Sequence, residues 1–118
     1  MLQKKFWNGV EILSLNKNLL KKKLKEISSK IKKNKNVKEV ILFGSFHTNH
    51  YTPYSDLDIA IVVGESKENF LKRKDKFIDY FSEIPLDVNI LVYTEKEIEK
   101  LRKEKNRFIE NILGGERL

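Results

Sequence analysis

The chain has 118 residues, of which 24 are Lys or Arg and 17 are Asp or Glu, so its formal net charge is +7. It contains no Cys, which excludes a disulfide framework, a thiolate zinc site, a Cys nucleophile and an iron–sulfur cluster, and two His argue against a His-rich metal cage. The length predicts a single domain over residues 1–118. No apolar run approaches the ~20 residues that span a bilayer and no signal-peptide core is present, so we expect a cytoplasmic protein without a membrane contact.

The first predicted element is a Lys-rich amphipathic helix over residues 13–33. Its apolar residues recur at the period of one helix face, at Leu20, Leu24, Ile27 and Ile31. Lysines occupy much of the remaining surface. Clustered cations of this kind suit nucleic-acid binding, but a solvated helix face explains them better, and a partner protein with an acidic surface explains them at least as well as nucleic acid.

Two strands separated by a loop follow this helix. An apolar, β-rich run from Val37 to Phe43 closes at Gly44 and Ser45, and a second run covers residues 57–63. Residues 46–55 contain a proline, several turn-forming residues and no sustained period. We therefore expect a strand, a loop and a second strand.

The second half of the chain predicts a helix, a strand and a helix. Apolar residues near helical spacing predict a helix over residues 67–84, and residues 86–93 are typical of a third strand. Thr94 and Glu97 form a capping-box pattern ahead of a last helix over residues 95–113. The order αβ(loop)βαβα predicts an α+β, two-layer domain in which a small mixed sheet of three or more strands is covered by helices mainly on one face.

Carboxylates concentrate in the middle of this basic chain, where residues 37–93 carry nine acidic and six basic side chains. Side chains alternate faces along a strand, so Asp56 and Asp58 project from one side while Leu57 projects from the other, buried side. The two Cα atoms would lie about 6.7 Å apart, within reach of one divalent cation or a pair of them. Asp87 can face the same side if its strand neighbours theirs.

Three carboxylates that meet at one point suit two Mg²⁺ ions, which can bridge the phosphates of a nucleotide. Asp87 then best suits the base that accepts a proton from an attacking hydroxyl, because it lies across the site from the other two. Gly44 lets the backbone approach a phosphate closely, and the Ser45 hydroxyl can donate a hydrogen bond to a phosphate oxygen. No Lys-Ser or Lys-Thr follows the glycine, which excludes a Walker loop.

The spacing of these residues resembles the nucleotidyltransferase superfamily, whose core is shared with DNA polymerase β, and especially its minimal (MNT) members. The family pattern is Gly-Ser, ten residues, Asp-x-Asp and a third acid on a later strand, and the resemblance spans about residues 37–93. It implies a palm-like fold. It also implies transfer of AMP from ATP to a hydroxyl, with two Mg²⁺ ions as cofactor and release of pyrophosphate. The matching positions are Gly44 and Ser45 for the nucleotide, and Asp56, Asp58 and Asp87 for the metal and the chemistry.

The resemblance also implies a partner, because stand-alone minimal members resemble antitoxins that adenylylate a tyrosine of an all-helical HEPN toxin. A homo-oligomer and a nucleic-acid-binding nucleotidyltransferase stay open as alternatives. The chain departs from the family at Phe46 to Asn49, where members have an Arg-x-Arg-Gly-like segment, and His47 or His50 are candidate substitutes. Loss of these Arg residues leaves a further alternative, a catalytically weak or inactive antitoxin that neutralises its toxin by binding.

Overall fold

The computed structural model describes residues 3–7, 10–14, 17–45 and 56–118, and the side chains of residues 18–45 and 56–118. The elements, in chain order, are β1 (Gln3–Trp7), β2 (Val10–Ser14), α1 (Lys17–Ile31), β3 (Val37–Phe43), β4 (Leu57–Val63), two 3₁₀ helices (Phe70–Lys76 and Ile78–Phe81), β5 (Val88–Thr94), α2 (Glu95–Lys103), α3 (Arg107–Leu113) and β6 (Glu116–Arg117). His47, His50 and the rest of the predicted loop over residues 46–55 lie outside the described residues.

The main sheet has four strands in the order β5-β4-β3-β6. Strand β3 runs antiparallel to β4 and to β6, whereas β4 and β5 are parallel. The predicted α+β class with a small mixed sheet is therefore confirmed, and the bounds of β3 and β4 are those predicted. Strand β6 was not predicted, because two residues are too short to carry a periodic signal.

Helices cover both faces of this sheet, so the prediction of a sheet covered mainly on one face is wrong. On one face, the apolar stripe of α1 packs against alternate residues of β4, Leu57, Ile59 and Ile61. On the other face, Ala60 and Val62 of β4 pack in a second cluster with apolar residues of α2 and α3. The physical reason is visible in β4 itself, where every residue from position 59 to 63 is buried, as in strands that are covered on both sides.

The predicted last helix is two helices. Lys105 has a φ of 56°, a left-handed conformation that no helix interior tolerates, and it separates α2 from α3. The Asn106 side chain then accepts a hydrogen bond from the Ile109 N–H at 3.0 Å and caps α3. The predicted capping box of Thr94 and Glu97 at the start of α2 is confirmed.

The segment predicted as a helix over residues 67–84 forms the two 3₁₀ helices instead. Phe77, with a φ of −111°, separates them and is buried. The buried Arg73 donates hydrogen bonds from this segment to the carbonyl oxygens of Glu68 and Val92. These contacts with β5 override the local preference for an α-helix, which is only a weak prior.

The N-terminal residues form a separate antiparallel pair, in which Gln3 lies opposite Ser14 and Trp7 lies opposite Val10. This pair was not predicted, although Asn-Gly at positions 8 and 9 is a hairpin signal. Helix α1 consequently begins at Lys17 and not at residue 13. None of the helices in the described ranges is long and apolar enough to cross a bilayer.

Candidate functional site

Two carboxylates lie at the start of the central strand β4. Asp56 directly precedes this strand and Asp58 is its second residue. Leu57, between them, is fully buried against the α1 side of the sheet. The two aspartates therefore project on the opposite face, where Asp56 is exposed and Asp58 is half-buried.

The side chain of Asn89 joins these two carboxylates. Because β4 and β5 are parallel, Asn89 lies beside Asp58 in the sheet register. Its Nδ2 atom lies 3.2 Å from Oδ2 of Asp56 and 3.2 Å from Oδ1 of Asp58, and it donates a hydrogen bond to each. The two carboxylates thus converge on one amide nitrogen.

The turn that follows β3 lies against the same carboxylate. Phe43, the last residue of β3, is the register partner of Asp58. Gly44 comes next with a φ of 77°, a conformation that favours glycine, and a Cβ built there would lie 2.2 Å from Oδ2 of Asp58. Glycine is therefore favoured at this position by its backbone conformation, and any larger residue would also have to displace the Asp58 carboxylate. Ser45 follows in the turn and is half-buried.

Asp87 lies on the β5 side of the site but does not join the other two aspartates in a cluster. Its backbone oxygen accepts a hydrogen bond of 2.8 Å from the Leu57 N–H, and its residue is exposed. Across residues 18–45 and 56–118, no three acidic or His side chains form a group that could hold a metal ion. The roles assigned to Asp56, Asp58 and Asp87 therefore stay predictions.

The residues that do converge suit a hard divalent cation. Carboxylate and amide oxygens are ligands that Mg²⁺ accepts, and two carboxylates balance the charge of one such ion. Asp56 and Asp58 would hold the cation, and Asn89 could offer its Oδ1 atom after rotation of the amide. Asn89 was missed in the sequence analysis because its place beside Asp58 depends on the parallel register of β4 and β5, which alternation within one strand does not reveal.

An ion pair lies at the other end of β5 and has a structural role. The Arg73 guanidinium, 9% exposed, donates to Oε1 of Glu97 and lies over the ring of Phe70, 5.7 Å from its centroid. Burial alone would raise the pKa of Glu97, but the hydrogen bonds from Arg73 and Thr94 and the charge of Arg73 together lower it. Burial raises the pKa of the neighbouring Tyr93. These contacts attach the first 3₁₀ helix to β5 and α2.

A cleft of about 830 Å³ opens beside this ion pair, at the end of the sheet away from Asp56 and Asp58. Its charged walls mix both signs, with Lys35, Lys38, Lys67 and Lys76 against Glu65, Glu68 and Glu95. Opposite charges of this kind partly neutralise one another. The two aspartates at the start of β4 are therefore the better candidate site.

Comparison with known proteins identifies the family and the fold. Residues 20–113 match the family profile described as nucleotidyltransferase domain. The fold is similar to the crystal structure, at 1.40 Å resolution, of a Sulfolobus solfataricus protein provisionally assigned as a nucleotidyltransferase, with 29% identity, a TM-score of 0.50, and 71% of each chain covered. It is also similar to a crystal structure of a toxin-antitoxin with AMP-PNP, with 21% identity, a TM-score of 0.53, and 87% of this chain and 72% of that chain covered. No curated protein matches the chain significantly.

Proposed function

The chain belongs to the nucleotidyltransferase domain family, and from that premise we propose that it transfers AMP from ATP to a hydroxyl group of a protein. The observation that carries the proposal is the convergence of Asp56 and Asp58 beside the turn at Gly44. A tight glycine turn next to paired carboxylates offers backbone space for phosphates and oxygen ligands for their counter-ion. Mg²⁺ is the proposed cofactor, and ATP is the proposed nucleotide.

The proposed acceptor is a tyrosine of an all-helical HEPN toxin, so that the chain acts as an antitoxin in the cytoplasm. The similar structure described as a toxin-antitoxin with AMP-PNP supports this choice, since that description names a toxin, an antitoxin and an ATP analogue together.

The chain's own residues supply position and charge in this reaction. Gly44 and Ser45 would lie against the phosphates, and Asp56 and Asp58 would hold the cation, which would supply positive charge to neutralise the phosphates. Asp87 accepts the proton of the acceptor hydroxyl as that oxygen attacks the α-phosphorus, and the bond to pyrophosphate breaks on the opposite side. The rate enhancement then comes mainly from orientation of the reactants and from electrostatic stabilisation of the transition state.

A second candidate function is neutralisation of the toxin by binding without transfer. The observation that favours it is Asn89, a neutral amide that lies beside Asp58 in the sheet register and donates a hydrogen bond to both Asp56 and Asp58. An amide cannot accept a proton at neutral pH. The family's Arg residues are also missing from Phe46 to Asn49, and this absence likewise favours binding without transfer.

The two functions are separated by incubating the purified chain with α-³²P-labelled ATP, Mg²⁺ and the candidate toxin, with RNA as an alternative acceptor. Transfer predicts label on the toxin that is lost in Asp56→Asn and Asp58→Asn and retained in Asp75→Asn, which removes an exposed carboxylate elsewhere. Inhibition of the toxin without label supports binding alone. Label on RNA identifies a nucleic-acid acceptor, and a toxin that is neither labelled nor inhibited contradicts both functions.

A further inference from the structure

We infer that the exposed ring of Phe108 holds the base of the nucleoside triphosphate by stacking. The inference rests on the proposed function, because it assigns a contact to the nucleotide of that reaction. It is carried by the position of Phe108 on the carboxylate face, which is the face of the main sheet where Asp56 and Asp58 project. The ring contacts the residue that pairs with Asp58, and it is 48% exposed, so much of it is open to a ligand.

Phe43 connects the ring of Phe108 to the site. It is the last residue of β3 and the register partner of Asp58. Residues directly opposite each other on antiparallel strands project from the same face, with Cβ atoms about 4.5–5.5 Å apart. The Phe43 and Phe108 rings meet at 89°, an edge-to-face contact, with centroids 5.9 Å apart. Since Gly44 directly follows Phe43, Phe108 is the neighbour, through Phe43, of both the turn and the carboxylate.

Helix α3 fixes Phe108 in this place. Ile109 and Ile112 of α3 are fully buried in the cluster on the carboxylate face. Successive helical residues are about 100° apart, so Phe108 lies on the flank of this buried stripe. The Asn106 side chain caps the helix just before it. A ring on a capped and packed helix is already ordered, which reduces the entropy that binding a base would cost.

The other exposed large apolar side chains are not placed for this contact. Residues 18–45 and 56–118 contain four of them, and those besides Phe108 belong to the two 3₁₀ helices, as Leu71, Ile78 and Tyr80. The segment that carries them packs through Phe77 and Phe81 into the cluster on the α1 side of the sheet. Among the described side chains, Phe108 is therefore the exposed ring on the carboxylate face.

A nucleobase suits this ring because every base has an aromatic face, and stacking needs no hydrogen bond from the protein. The two parts of a nucleotide also match the two parts of the site. Phosphates need N–H groups and a counter-ion, which the turn at Gly44 and the two aspartates would supply, whereas a base needs an apolar surface. Stacking on Phe108 therefore strengthens binding of the whole nucleotide and leaves the contacts of its phosphates unchanged.

The test is isothermal titration calorimetry of the full chain in Mg²⁺ with two ligands, a nonhydrolysable ATP analogue and inorganic tripolyphosphate, which has no base. Phe108→Ala removes the ring, Phe108→Leu keeps apolar bulk without an aromatic face, and Phe108→Tyr keeps the ring. Tyr80→Ala is the matched control, since Tyr80 is an aromatic residue of similar exposure, 43%, in the second 3₁₀ helix. Thermal unfolding followed by circular dichroism checks that each variant is folded.

We expect Phe108→Ala to bind the analogue about tenfold more weakly than the natural chain, and Phe108→Leu about fivefold more weakly. Phe108→Tyr and Tyr80→Ala should bind the analogue as the natural chain does. The affinity for tripolyphosphate should be the same in every protein, because the phosphates do not touch the ring.

Equal weakening of both ligands by Phe108→Ala would show that the ring only supports the turn at Gly44, and it would overturn the inference. Full affinity of Phe108→Leu for the analogue would overturn it too. Unchanged affinity of Phe108→Ala would do the same, and loss of label on the toxin in that variant would then assign the ring to the protein partner. These results leave the proposed function intact, whereas a natural chain that binds neither ligand overturns the proposed function and the inference with it.

Discussion

Oδ2 of Asp58 occupies the space that a side chain on Gly44 would need, since an ideal Cβ there would lie 2.2 Å from this oxygen. The relationship joins the end of β3 to the start of β4, whose residues Phe43 and Asp58 are partners in the antiparallel register. The turn that would receive a phosphate and the carboxylate that would hold its counter-ion are therefore positioned by one contact. A change at either residue is expected to move the other.

Gly44→Ala tests this contact. The alanine must adopt a left-handed backbone conformation, which costs about 1–2 kcal/mol, and its methyl group must also displace the Asp58 carboxylate. We expect a lower free energy of unfolding in urea and weaker Mn²⁺ binding in the presence of an ATP analogue. Gly114→Ala is the control, because a Cβ there meets its nearest atoms at 3.5 and 3.6 Å, which is ordinary contact. Equal effects of the two substitutions would contradict the contact.

The central strand carries much of the core, and Ile59→Ala measures its contribution. Ile59 is fully buried in the cluster that joins β4 to α1, so the substitution leaves a cavity and is expected to cost about 2–5 kcal/mol. Ile78→Ala is the matched control, since Ile78 is 47% exposed and its truncation leaves no closed cavity. Urea denaturation of the three proteins gives the comparison, and similar losses for both variants would refute the packing described for β4.

The strands that frame the site were predictable because their signal is local. Residues 37–43 and 57–63 are short, mostly apolar runs that follow a polar residue and end before a glycine, and the structure begins and ends β3 and β4 at those positions. The alternation that places Asp56 and Asp58 on one face follows from strand geometry alone. The capping box of α2 is equally local, since both of its partners lie within four consecutive residues.

The features that were not predictable depend on contacts distant in sequence. Asn89 reaches Asp56 and Asp58 only because β5 pairs in parallel with β4 at one register, and no pattern within β5 fixes that register. The 3₁₀ helices likewise replace the predicted α-helix where Arg73 bonds to β5. The break between α2 and α3 rests on a left-handed Lys105, a residue type with no preference for that conformation.

Arg73→Met tests whether the buried guanidinium holds the first 3₁₀ helix against β5. The methionine keeps much of the apolar contact but removes the hydrogen bonds to Glu68, Val92 and Glu97. We expect a loss of about 2–4 kcal/mol in the free energy of unfolding, since Val92 and Glu97 lose a charged donor. Arg73→Lys should recover only part of this loss, because an ammonium group cannot make the same set of planar contacts.

The control for Arg73 is Arg102→Met, which removes an exposed guanidinium from the last turn of α2. Its effect should stay within about 0.5 kcal/mol, as for most surface substitutions. Urea denaturation monitored by circular dichroism measures all three variants. Full recovery by lysine would show that the charge alone matters and that the planar geometry does not.

Glu97→Gln predicts a pH-dependent loss of stability. The pKa of Glu97 in the folded chain is lower than its ordinary value of 4.5, so folding is favoured by its ionised form. Its contribution is fully present above pH 4.5 and is lost as the pH falls through the lower pKa of the folded chain. Glutamine keeps the capping-box hydrogen bonds, since Gln serves at this position as well as Glu, and removes only the charge that faces Arg73.

At pH 7 we expect Glu97→Gln to lower the free energy of unfolding by about 1 kcal/mol, a modest value because the side chain is partly exposed and water screens the pair. The difference from the natural chain should shrink as the pH falls below 4.5, because Glu97 then becomes neutral in both states of the natural protein. Glu104→Gln, an exposed change at the end of α2, should show no such trend. Urea denaturation at a series of pH values measures these differences, and a constant gap between the natural chain and Glu97→Gln down to pH 2 would contradict the charge interaction.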